Sequence, residues 1–180
     1  NKNKMIIRNN VSEPWRVTLV DTGLYTMTGG RIKRVQKYIG NERFMLTYGD
    51  GVSNVNIREL EKYHIASGKH LTITAIQPGG RFGALDINEE NNEIKSFVEK
   101  SKEDGGWING GFMVAEPEVF NYIKDDNTVF EREPLETLAR EGKIVAYKHY
   151  GFWQCMDTQR DKGRLEKLWE ENNAPWKIWE

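Results

Sequence analysis

At 180 residues the chain has the length of one domain with room for a sizeable core, and a single domain over residues 1–180 is expected. Its 26 basic and 27 acidic residues nearly cancel to a net charge of −1, and Lys and Arg are scattered, so no footprint for nucleic acid results. One cysteine, Cys155, excludes an internal disulfide framework and fits a reducing, cytoplasmic setting; no apolar run reaches membrane length.

Met5-Ile6-Ile7 and residues 17–20 read as short β-branched strands. Gly29-Gly30 then opens a helix in which Ile32, Val35 and Ile39 recur three and four apart. Phe44 to Tyr48 reads as a buried strand ending at Gly49-Asp50-Gly51. Asn56 with Glu59 resembles a capping box and starts a helix through Ala66, stopped by Gly68. Strands are expected over 71–76, 83–87, 94–100 and 107–114, then helices over 117–124 and 131–140, the second closed by Gly142. Residues 143–150 make a further strand. Thr158 with Asp161 caps a last helix whose Leu165, Leu168 and Trp169 face inward, and the tail from Pro175 reads as irregular, suited to packing on a neighbour. Strands interleaved with helices define an α/β fold, with an antiparallel insert between residues 71 and 114.

Two aspartates close apolar runs: Asp50 after Phe44 to Tyr48, and Asp157 after Phe152 to Met156. Carboxylates at the ends of buried strands lie where open α/β sheets place ligands, and two of them suit one hard cation held against a phosphate. Either aspartate by itself reads more readily as turn chemistry, since Asp before Gly is ordinary there. Thr28-Gly29-Gly30-Arg31 sets backbone N–H groups and an arginine at a helix start, an anion site or simply a helix start with a surface arginine. Glu99 and Lys100 end a strand, and Asn109-Gly110-Gly111 begins the next with glycines that permit close approach. Glu suits sugar hydroxyls and Lys a phosphate, against the plainer reading of a solvated ion pair. His64 reads as a packed or rim residue, and His70 and His149 lack metal-ligand spacing.

In this order the segments Leu19-Val20-Asp21-Thr22-Gly23, Met27-Thr28-Gly29-Gly30-Arg31, Thr47-Tyr48-Gly49-Asp50-Gly51, Gly80-Arg81-Phe82-Gly83, Ile108-Asn109-Gly110-Gly111-Phe112, Gly151-Phe152-Trp153-Gln154 and Met156-Asp157-Thr158 resemble the sugar nucleotidyltransferases. Together with Glu13-Pro14-Trp15, Ala84-Leu85-Asp86-Ile87 and Ala174-Pro175-Trp176-Lys177, the same segments carry a closer likeness to the branch that joins CTP to glucose 1-phosphate. The resemblance implies a Rossmann-like mixed sheet of the nucleotide-diphospho-sugar transferase type. It implies Asp50 and Asp157 as ligands of a Mg²⁺ bridging nucleotide and sugar phosphates. Thr26, Arg31 and Gly49 would surround the nucleotide, with Arg31 joining Asp50 and Asp157 as a catalytic residue. Gly83, Glu99, Lys100, Asn109 and Gly110 would line the sugar-phosphate pocket. The partners implied are CTP and glucose 1-phosphate, with no nucleic acid and no membrane; a homo-oligomer is expected.

The family's opening strand, its G-G-x-G-T-R loop and a downstream lysine have no counterpart here, so the chain reads as a C-terminal portion, inactive by itself. Ser101 and Cys155 stand where the family has proline. Another nucleoside triphosphate or sugar, or a non-catalytic sugar-phosphate-binding or regulatory module, remains an alternative.

Overall fold

The structure, a computed structural model, describes residues 15–77, 84–98 and 106–179. The expected strand at Met5-Ile6-Ile7 lies outside them.

The architecture is built around β3 (Leu71–Ile76), in which all six residues are buried. Alternate side chains of a strand point to opposite faces, so burial of every residue requires cover on both. Leu71, Ile73 and Ala75 join one apolar cluster with Phe120, Phe130, Leu135 and Leu138, the last two from α3 (Glu133–Arg140). On the other face Thr72 meets His64 of α2 (Ile57–Ser67) at 2.8 Å. Burying a large aliphatic side chain contributes about 1.5–3 kcal/mol, so this cluster is the main apolar contribution to the fold.

Strand β3 pairs in parallel with β7 (Ile144–Lys148) and antiparallel with β6 (Trp107–Ala115). Beyond β6 lie β4 (Ala84–Ile87) and β5 (Ile94–Val98), giving the order β5-β4-β6-β3-β7, while β1 (Phe44–Leu46) pairs with the other end of β6. The sheet is therefore mixed, with the antiparallel insert where strand follows strand without an intervening helix. A separate two-stranded ribbon pairs β2 (Gly51–Ser53) with β8 (Trp153–Cys155).

Helix α1 (Thr28–Ile39) matches its sequence pattern, with Ile32 in the core. Asn56 caps α2 by accepting the N–H groups of Arg58 and Glu59, and Gly68 ends it at φ +61°. Thr158 and Asp161 form a reciprocal capping box at the start of α4 (Gln159–Glu170).

Several expectations are corrected. Residues 17–20 form no strand; Val17 and Leu19 are exposed and no described strand runs beside them, so β-branched composition finds no ladder. The strand at Phe44 is shorter than expected and half-buried, because β1 has β6 on one edge only and residues 47–50 turn into β2. Residues 117–122 form a 3₁₀ helix after Glu116, and Glu131 precedes α3 in a turn. In α4 Leu165 is buried but Trp169 is exposed, since one core-facing stripe suffices for a helix on the rim. The tail is irregular, as expected, and its Trp176 stacks on Phe152 with centroids 5.4 Å apart.

Candidate active site

Strand β6 bulges where it meets β3. Ile73 lies opposite Met113 and Ala75 opposite Asn109, so residues 110–112 oppose Thr74 alone. Bulges of this kind re-aim side chains beside binding sites. Gly111 makes the turn at φ +81°, and a Cβ there would stand 2.7 Å from the Tyr48 ring. A Cβ on Gly110 would stand 2.9 Å from the carbonyl of Thr74. The two glycines thus let the bulge lie flat against β3 on one side and Tyr48 on the other. Among the described residues, what approaches these glycines is a sheet carbonyl and an aromatic ring.

A cleft of about 540 Å³ opens over this bulge, lined among others by Gly49, Asp50, Asn109, Gly110, Trp153 and Asp157. The β2–β8 ribbon brings the two aspartates there. Gly51 pairs with Cys155, and the N–H of Met156 donates to the carbonyl of Asp50 at 2.8 Å. Asp50 and Asp157 therefore flank the same end of one ribbon, although they are 107 positions apart in sequence, from 50 to 157. Trp153 forms a wall by donating its indole N–H to the carbonyl of Gly110 at 2.8 Å.

Both carboxylates are exposed, and neither forms an ion pair with a described cation. The thiol of Cys155 donates to Asp157 at 3.4 Å. Burial, and then the Asp157 carboxylate, push that thiol up to about 11, so it is a neutral filler in the ribbon. The described residues gather no group of three or more His, Cys, Asp or Glu side chains able to hold an ion. Two carboxylates in one open cleft fit a hard divalent cation that completes its shell with water and phosphate oxygens.

Asn109 is held on both sides. Its Oδ1 accepts the Gly111 N–H at 2.9 Å, and its Nδ2 donates to the Tyr48 hydroxyl at 3.3 Å. Tyr48 in turn donates to Glu131 Oε1 at 2.6 Å. Burial, reinforced by the Glu131 charge, pushes the Tyr48 hydroxyl well above its ordinary value, so it stays protonated as a donor.

Thr26 and Arg31 are not in the wall of the cleft. Thr26 is buried beneath Gly30, and Arg31 donates to the Thr22 hydroxyl at 2.7 Å and the Leu24 carbonyl at 3.2 Å. The N–H of Gly29 is taken by the Thr128 carbonyl at 2.9 Å, so part of the expected anion site is satisfied internally. Gly83, Glu99 and Lys100 lie outside the described residues. Tyr48, Gly111 and Trp153 were not singled out from sequence, although each lies inside a motif that was. Glu131 lies in none, and nothing in its local sequence marks it.

A family model described as nucleotidyl transferase matches residues 23–176. Glucose-1-phosphate cytidylyltransferase of Salmonella typhi is 53% identical over 99% of this chain and 69% of its own length. Among solved structures, HddC from Yersinia pseudotuberculosis superposes with a TM-score of 0.67 at 24% identity, over 79% of this chain and 63% of that one. An apo UDP-glucose pyrophosphorylase gives 0.71 at 16% identity, over 85% of this chain and 63% of that one. At such identities the two structures establish the fold, a mixed α/β sheet of the nucleotide-diphospho-sugar transferase type. The chain spans about two thirds of the length of the relatives it matches. Over residues 23–176, this chain belongs to the nucleotidyl transferase family.

Proposed function

We propose that the chain forms the larger part of an enzyme that makes CDP-glucose and pyrophosphate from CTP and glucose 1-phosphate. The observation that carries this reading is the meeting of Asp50 and Asp157 at one end of the β2–β8 ribbon, in the same cleft as Asn109 and Gly110. The Salmonella relative supports the choice of base and sugar. A phosphate monoester is largely a dianion near neutral pH, its second pKa being about 6, so the attacking oxygen needs no general base. That oxygen bonds to the α-phosphorus of CTP while the α–β bridging bond breaks and pyrophosphate leaves. Mg²⁺ between Asp50 and Asp157 would neutralise charge on the phosphates. Asn109 and the backbone of Gly110 orient the sugar, and Gly49 lets the nucleotide approach the β1–β2 turn. In this reading Gly83, Glu99 and Lys100 complete the sugar-phosphate pocket, and Thr26 and Arg31 act near the nucleotide. Two of the five Arg31 N–H donors are taken by Thr22 and Leu24, and the others would serve a phosphate.

Among the described residues no helix is long and apolar enough to cross a membrane. A buried free thiol supports a cytoplasmic setting, and the exposed Trp169, Ile178 and Trp179 support a homo-oligomer.

The test is pyrophosphate release by the full-length protein with glucose 1-phosphate, Mg²⁺ and each common nucleoside triphosphate in turn. Release with CTP alone is expected. Another preferred triphosphate would keep the reaction class and overturn the base. Silence with all four would favour a non-catalytic sugar-phosphate-binding module.

A further inference from the structure

Glu131 joins two parts of the molecule that no strand or helix connects. One carboxylate oxygen accepts the Tyr48 hydroxyl at 2.6 Å, at the floor of the cleft. The other accepts the Thr28 hydroxyl at 2.6 Å, in the first turn of α1. Both hydroxyl oxygens are already in use as acceptors. Thr28 Oγ1 takes the N–H of Phe130 at 2.9 Å, and the Tyr48 oxygen takes Asn109 Nδ2 at 3.3 Å. Each hydroxyl must therefore give its proton to a third group. A carboxylate supplies two acceptor oxygens and no competing proton; an amide of the same shape supplies one acceptor and one donor. The chain of bonds has one polarity, running from Gly111 and Asn109 through Tyr48 to Glu131. Among the described residues the second N–H of Asn109, which lines the cleft, has no acceptor.

We infer that Glu131 is a positioning residue for the sugar side of the reaction, acting through Tyr48 to fix the side-chain orientation of Asn109. This rests on the proposed function only for the identity of the bound sugar phosphate; the linkage from Glu131 to Asn109 stands on the hydrogen bonds. With Glu131→Gln, one acceptor oxygen and one amide N–H face the two hydroxyls, so one hydroxyl loses its acceptor and Tyr48 and Thr28 are no longer held by the same group. Tyr48→Phe removes the relay while keeping the ring beneath Gly111. Groups acting in series are non-additive, so the double variant is expected to resemble either single one.

The experiment compares steady-state kinetics of the full-length protein and of Glu131→Gln, Tyr48→Phe and the double variant. It is paired with the ¹⁵N resonance of the Asn109 side-chain amide. The expected result is a KM for glucose 1-phosphate raised about 10-fold in each variant, the effect of roughly one misplaced hydrogen bond, with kcat and the KM for CTP changed less than about threefold. Equal effects on both substrates, no effect, or additive single variants would overturn the inference. If the unsubstituted protein turns over nothing, the proposed function falls and the resonance decides. A shift in both single variants then supports the relay, and an unmoved resonance overturns it. Should Glu131→Gln not fold, Tyr48→Phe reads the same two quantities.

Discussion

Met156 donates its backbone N–H to the carbonyl of Asp50 at 2.8 Å, one step beyond the Gly51–Cys155 pair of the β2–β8 ribbon. The two proposed metal carboxylates are thereby brought together by backbone pairing, with only the Cys155 thiol donating to one of them, Asp157, among the described residues. Replacing either side chain should spare the scaffold.

Asp50→Asn and Asp157→Asn are each expected to lower pyrophosphate release at least about 100-fold, since phosphate charge stabilisation of several kcal/mol is at stake. Their melting temperatures are expected to stay within a few degrees of the parent's. Full turnover in either variant at saturating Mg²⁺ would remove that residue from the metal site.

Gly111→Ala tests the bulge. The new methyl group meets two obstacles, a left-handed φ of +81° and the Tyr48 ring at 2.7 Å. Together they are expected to destabilise the protein by about 1–3 kcal/mol, read from the urea midpoint, and to raise the KM for the sugar phosphate as Tyr48 moves. An unchanged midpoint would mean that the bulge relaxes freely.

Thr158→Ala removes a capping-box partner one residue after Asp157. Thr158 accepts the Asp161 N–H at 3.2 Å, and Asp161 Oδ2 accepts the Thr158 N–H at 3.0 Å. A loss of about 1 kcal/mol is expected in chemical denaturation. Thr158→Ser, which keeps the hydroxyl, is expected to restore most of it; failure of that rescue would point to the lost methyl group.

His64 gives the fold an acid-sensitive point. It is 1% exposed, and burial pushes its pKa below the ordinary value despite the raising influence of Glu116. The neutral ring accepts from Thr72 at Nδ1 and donates to Glu116 from Nε2, at 3.2 Å. The unfolded chain takes up its proton near pH 6.5, before the folded one does, so stability falls as pH drops through that value toward the lower folded pKa. Burial raises the Glu116 carboxyl, but Arg43 and His64 outweigh it and hold the group below its ordinary value. Its contribution is present above about pH 4.5 and is lost as pH falls through the lower folded pKa. His64→Gln should therefore flatten the upper part of the acid limb in melting experiments and leave in the lower part the share of the Glu116 shift that Arg43 supplies. An unchanged limb near pH 6 would show that His64 does not titrate with unfolding.

Much of the scaffold was legible because its signals are local. The Asn56 cap, the Gly68 stop, the Thr158–Asp161 box and the β-branched run from Leu71 all depend on neighbours within four residues. Asp50 and Asp157 were legible through their motifs, and their convergence then required the ribbon pairing that no local pattern encodes. Glu131 was invisible for the opposite reason: its partners Thr28 and Tyr48 lie 103 and 83 positions away. The strand expected at 17–20 failed because β propensity needs a partner edge, which no described strand supplies. Trp169 was assigned inward because apolar periodicity marks a stripe but not its width.

The parallel pairing of β3 with β7 has a consequence for biosynthesis. Leu71 takes Ile144 as its neighbour, 73 positions further along, from 71 to 144. At about 5–20 residues per second, the ribosome needs roughly 4–15 s to deliver that partner. Until β6 is made, Leu-Thr-Ile-Thr-Ala-Ile is a nascent six-residue segment with neither neighbour, and its β7 edge stays open for the whole interval; it has no charge or proline, the kind of run that stacks with copies of itself. Lys69 and His70 just before it and Gln77 just after act as its only immediate polar flanks. Yield in a cell should depend on keeping this segment engaged until β7 has been synthesised, so slower translation through residues 77–148 or loss of trigger-type chaperones should divert the chain to inclusion bodies before any catalytic defect is seen.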